Sequence, residues 1–76
     1  MSTGEFSVCQ FFSCSQYEYV RRYVSAEEAG LAFAYYTTSV GARSGTTIRV
    51  IITDERDQIN AEWKFREGLV FPIVKE

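Results

Sequence analysis

Histidine is absent from this chain, and that removes in one stroke the commonest general base and the commonest metal ligand. Most catalytic constellations need one or the other, so no enzymatic activity is expected. No apolar run approaches the roughly 18 residues of a membrane span. The opening Met1-Ser2-Thr3-Gly4-Glu5 has neither the basic start nor the apolar stretch of a signal peptide. The expectation is a cytoplasmic protein that does not contact a membrane.

Glycine is scarce where a phosphate loop would need it. Gly41 and Gly45 follow a predicted helix, whereas phosphate motifs place their glycines ahead of one. The acidic cluster Asp54, Glu55, Asp57 lacks the glycine and the distal bidentate glutamate of a calcium loop, and reads as a solvated hairpin tip. Cysteine occurs twice. If residues 6–13 form a strand, five residues at roughly 3.3 Å each set Cys9 and Cys14 about 16 Å apart, beyond the ~7 Å reach of a disulfide. Two thiols without histidine do not make the usual tetrahedral zinc site unless carboxylates or a second chain complete it. Two reduced thiols, no metal and no cofactor are expected.

What the chain does have is core material. A content of 46% hydrophobic and 16% aromatic residues is far from the signature of disorder. Its 76 residues suffice for one domain, residues 1–76, with a single thin core. Residues 1–4 are expected to be disordered and 72–76 to form a loose tail. The net charge of −2 has the wrong sign for coating a phosphate backbone by bulk electrostatics. Nucleic-acid binding would need a local patch.

Phe6-Ser7-Val8-Cys9-Gln10-Phe11-Phe12-Ser13 and Tyr17-Glu18-Tyr19-Val20-Arg21-Arg22-Tyr23-Val24 are rich in aromatic and β-branched residues and alternate roughly in polarity. They predict a first hairpin. A two- or four-residue loop would set Phe12 opposite Tyr17 and Gln10 opposite Tyr19. Ser25-Ala26-Glu27-Glu28 then has the form of a capping box. Behind it Ala26, Ala29, Phe33, Tyr36 and Val40 draw one apolar stripe down a helix of about four turns, with Gly45 as its firm stop. Thr46–Thr53 and Gln58–Arg66 predict a second hairpin in which Ile52 faces Ile59, Val50 faces Ala61, Ile48 faces Trp63 and Arg49 faces Glu62. Ile59, Ala61, Trp63 and Phe65 should share the core face. Leu69-Val70-Phe71 adds a short edge strand that Pro72 ends. The fold class is therefore α+β, in the order β-β-α-β-β. Its two antiparallel hairpins form a four- or five-stranded sheet with one helix packed on one face.

Two sets of residues are left as candidate binding groups. Alternation puts Tyr17, Tyr19, Arg21 and Tyr23 on one face of the second strand. If that face looks inward with Phe6, Val8 and Phe12, the tyrosines belong to the core, which is the simpler reading. If Cys9, Phe11, Val20 and Val24 face the helix instead, the tyrosines and Arg21 form an exposed platform suited to stacking single-stranded bases or anchoring a protein. Leu31 and Tyr35 lie off the main helix stripe and either widen the buried arc or form an exposed ridge. Six of the eight basic residues are arginine, a residue favoured at interfaces. The leading expectation is a non-catalytic protein-interaction module that self-associates as a homodimer. The alternative is a single-stranded nucleic-acid binder, which the net negative charge disfavours.

Overall fold

The computed structural model describes residues 4–71. It contains β1 (Phe6–Phe12), β2 (Tyr17–Val24), α1 (Ala26–Thr37), α2 (Val40–Ser44), β3 (Thr47–Thr53), β4 (Ile59–Lys64) and β5 (Gly68–Phe71). The five strands form one antiparallel sheet in the order β2-β1-β3-β4-β5, which is the expected α+β architecture with the edge strand included. β2 and β3 both pair with β1, so they run parallel to each other with β1 between them, and the helices make the crossover. Of the termini expected to be loose, residues 1–3 and 72–76 lie outside the described residues. The Gly4 N–H donates to the Tyr23 carbonyl at 3.1 Å. A Cβ at that position would sit 1.8 Å from the Val24 oxygen, so only glycine fits. Among the described residues no helix is long and apolar enough to cross a membrane.

The core is the contact between α1 and the middle of the sheet. Ala29 and Ala32 lie on Val8 of β1 and Val50 of β3, and both valines are fully buried. Two alanines on the inward face let the helix backbone come close, and larger side chains fill the flanks: Phe33 and Tyr36 from the helix, Phe6, Val20, Val24, Ile52 and Trp63 from the strands. Trp63 is thus a half-buried flank of the core and not its centre.

The helix expected to run through Val40 is broken. The hydroxyls of Thr37 and Thr38 donate back to the Ala34 carbonyl and that of Ser39 to the Tyr36 carbonyl, offering the backbone an alternative to the next helical turn. Ser39 then caps α2 by accepting from Ala42 N at 3.2 Å. The break rotates Val40 out of the stripe to 80% exposure and brings Ala42 inward in its place. Gly45 does stop the helix, with φ of 90°. At the other end Ser25 Oγ accepts from Glu28 N at 3.1 Å, but the Glu28 carboxylate turns towards Arg21, so only half of the expected capping box forms.

Both expected hairpin registers are wrong, for one reason. Phe12 N donates to Gln16 O and Ser15 N to Phe12 O, with Ser15 at φ 74°. Asp54, Gln58 and Asp57 repeat the pattern, with Asp57 at φ 62°. Each loop therefore has three residues and ends in a left-handed one, a common hairpin closure with no Asn-Gly signature. An odd loop moves the pairing by one. In the second hairpin Asn60 is left unpaired as a bulge and moves it by one more, so that Val50 faces Trp63 and Ile52 faces Ala61. Core still meets core, two residues away from the expected pairs. Ile59 is the exception, since it lies before the bulge, pairs with Thr53, and leaves the core face. Arg49 pairs with Lys64 and reaches Glu62 diagonally, Nε to Oε2 at 2.6 Å.

Two measurements test this account. Val50→Ala should cost about 2–3 kcal/mol by lost transfer and residual cavity, read from urea denaturation; a midpoint that barely moves would place the core elsewhere. The Asp54 carboxylate accepts N–H bonds from Gln58 and Arg56, and the Gln58 bond foremost holds its pKa below the usual carboxylate value. A depressed folded pKa stabilises above the unfolded pKa of about 4 and is lost as the pH falls through the folded value. Asp54→Ala should therefore lower the urea midpoint at about pH 7, with the difference closing towards about pH 2.

Candidate functional site

The three-residue loop decides where the tyrosines go. Phe11, not Phe12, faces Tyr17, and Cys9, not Gln10, faces Tyr19. Val8 and its alternates Phe6 and Gln10 point to the helix, so Tyr17 and Tyr19 stand on the opposite, uncovered face with Cys9 and Phe11. This corrects the expectation that they belong to the core: Tyr17 is 62% exposed and Tyr23 58%. Both candidate readings also assumed an unbroken β2. Val20 is bulged between the Cys9–Tyr19 and Val8–Arg21 pairs, and a second irregularity sets Arg22 and Tyr23 against Ser7 alone. The first bulge sends Val20 and Arg21 to the helix side. The second returns Arg22 and Tyr23 to the open face, with Tyr23 at φ 57°.

The expected set Tyr17, Tyr19, Arg21, Tyr23 is therefore divided. Arg22 takes the place of Arg21 on the open face, with its guanidinium 4.3 Å from the Tyr19 ring centroid and 5.1 Å from that of Tyr23, and it donates to the Tyr23 hydroxyl at 3.1 Å. Tyr17 packs edge-on to Tyr19 at 6.1 Å and tilted to Phe11 at 5.7 Å. Arg49 lies 4.8 Å over Phe11 and is paired with Glu62. The result is a carpet of rings and guanidinium groups in the contact order Tyr23, Arg22, Tyr19, Tyr17, Phe11, Arg49. Beneath it Ser7, Cys9, Ile51 and Thr53 are buried although no helix covers them. Phe11, Arg22 and Arg49 were not among the candidate residues; the adjacent arginines at 21 and 22, which strict alternation cannot both keep out of the core, were the signal.

Arg21 belongs to a second surface. With Glu28, Leu31, Ala32, Tyr35 and Tyr36 it lines an open groove of about 460 Å³ between β2 and α1. Arg21 Nε lies 3.9 Å from Glu28 Oε2. Leu31 and Tyr35, one turn apart, are 68% and 65% exposed, so they form a ridge and do not widen the buried arc. The Tyr35 and Tyr36 rings meet edge to face at 4.9 Å. On the same side of the sheet the buried Gln10 amide is satisfied at both ends, accepting from Thr47 Oγ1 at 3.0 Å and donating to Glu18 at 3.4 Å.

The two cysteines are free and differ in setting, Cys9 buried under the carpet and Cys14 exposed at the tip of the first loop. Removal from water pushes the Cys9 thiol above its ordinary pKa, which makes it a poor nucleophile. Among the described residues no three Cys, Asp or Glu side chains group as a metal site. Under native conditions a disulfide reagent such as dithionitrobenzoate should titrate one thiol per chain, and both in denaturant. Two thiols reacting at similar native rates would mean that the carpet does not seal Cys9.

Compared with known proteins, the chain matches no family model, no curated protein and no solved structure.

Proposed function

We propose that the chain is a non-catalytic protein-interaction module whose partner is a second copy of itself. The observation that carries this reading is the ridge of Leu31 and Tyr35 bordering its own groove between α1 and β2. A two-fold contact requires one patch to complement itself. Here a protruding apolar ridge and a hollow of matching chemistry lie side by side, so apposing two copies seats the ridge of each in the groove of the other. The charges agree with this, because Arg21 and Glu28 border the same patch and an antiparallel mate brings each towards its opposite. Aromatic and arginine side chains are the usual anchors of such contacts.

Pairing through the sheet edges is the less favoured route. β2 carries two bulges and a left-handed Tyr23, devices that blunt an edge against strand addition, and β5 offers only four residues. The absence of histidine and the burial of Cys9 support a non-catalytic role. Two free thiols suit a reducing cytoplasm.

Sedimentation equilibrium from low to high micromolar concentration tests the dimer. The mass should rise from 8.7 kDa towards twice that value. Leu31→Glu combined with Tyr35→Glu should hold it at the monomer value with unchanged circular dichroism, since both side chains are exposed. A wild-type mass of 8.7 kDa throughout would overturn the reading.

A further inference from the structure

We infer that the open face of the sheet is a binding site for single-stranded nucleic acid, separate from the self-association surface. Four rings from two adjacent strands, Phe11, Tyr17, Tyr19 and Tyr23, lie on one uncovered face, three of them from exposed tyrosines. Aromatic rings on a sheet stack unpaired bases with little regard to sequence, because every base has a π-face. A flat face of this kind does not enter a duplex groove, so it selects strands whose bases are already unstacked.

Charge separates this occupant from a protein partner. The chain as a whole carries −2, yet among the strand residues that register places, only Glu62 is an acid on this face. Glu18 is held on the helix side by Gln10, Glu27 and Glu28 lie in the first turn of α1, and Asp54, Glu55 and Asp57 occupy a loop tip. Register places Arg49, Glu62 and Lys64 on the open face with Arg22. Glu62 is neutralised by Arg49 at 2.6 Å, and Arg22 makes no ion pair among the described residues. The local balance is positive on an acidic protein, which is the patch that phosphate binding requires. A protein covering this face would also have to dehydrate Arg22, Lys64 and three phenol hydroxyls, whereas bases stack on a guanidinium plane as they do on a ring and leave Lys64 and the hydroxyls to phosphates and water.

Fluorescence anisotropy with a labelled oligothymidylate of about 15 nucleotides, the matching oligouridylate and a duplex of equal length tests the site. Saturable binding of the single strands is expected, with a log–log salt slope of about −1.4 to −2 for two or three cations. The ratio of the two oligonucleotides distinguishes DNA from RNA. Tyr17→Ala and Tyr19→Ala should each weaken binding about tenfold, and Arg22→Gln should also flatten the slope by about 0.7. Urea midpoints confirm that the variants fold, and Arg22→Gln, altering an exposed side chain, serves if a tyrosine variant does not. The Leu31→Glu/Tyr35→Glu protein should retain intrinsic affinity per chain, so loss of the dimer and loss of this site are read separately. No saturable binding at low salt, equal affinity for duplex, or indifference to all three variants would overturn the inference. So would conversion of a dimer to a monomer by Tyr17→Ala or Tyr19→Ala, which would make this face the protein interface.

Discussion

The seating of two alanines on two valines is the contact on which the rest of the molecule depends. Ala29 and Ala32 on Val8 and Val50 bring α1 down onto the two central strands. Phe33 and Tyr36 from the helix and Phe6, Val20, Val24, Ile52 and Trp63 from the strands flank that contact. The smallest dimension of the domain is 19 Å, enough for a sheet with one layer of helix. That geometry makes the far side of the sheet a surface by necessity, and the sequence has dressed it with long amphipathic side chains.

The dressing solves a problem that small one-layer sheets share. A five-stranded sheet covered on one side exposes backbone and small residues on the other, and here Ser7, Cys9 and Thr53 would meet water directly. Arg22 and Arg49 lie over aromatic rings and keep their charged ends wet, while their stems and the rings beneath exclude water from the strand centre. The carpet therefore contributes to stability as it stands. On the other side of the sheet, Arg21 does the opposite work from its neighbour Arg22, flanking the helix and bordering the groove.

Much of the fold was legible because it rests on local chemistry. The order of elements, the Ser25 cap, the Gly45 stop and the edge strand after Gly68 each follow from a residue whose backbone preference is strong. Leu31 and Tyr35 were legible as off-stripe positions, and both prove exposed. What was not legible is parity. A strand reads the same whether its loop holds three residues or four, and Ser13-Cys14-Ser15 carries no glycine to mark the left-handed position that makes the loop odd. Bulges are equally silent, since Val20 and Asn60 are ordinary residues whose unpaired state is imposed by the partner strand. The tyrosine face was misassigned by one residue of loop, and Arg21 by one residue of bulge. The weakness of the helix end was legible in Thr37-Thr38-Ser39, which are poor helix formers, but the restart at Val40 was not, because Val40 fits the 3.6-residue period of the stripe.

An odd loop followed by a bulge also constrains how such a chain can change over generations. In the second hairpin the two irregularities cancel, so the pairing of Val50 with Trp63 depends on the sum of residues in Glu55–Asp57 and at Asn60, not on either alone. A single insertion or deletion at one of them inverts every side chain downstream, exchanging the hydrophobic and charged faces of β4. A second change of the same kind at the other restores them. Length variants of this hairpin should therefore survive only in compensated pairs, whereas in the first hairpin a change at Val20 restores only the residues beyond it and leaves Tyr17–Tyr19 inverted. Loop length, normally the most tolerant property of a small protein, is in this fold inherited together with the interior of the neighbouring strand.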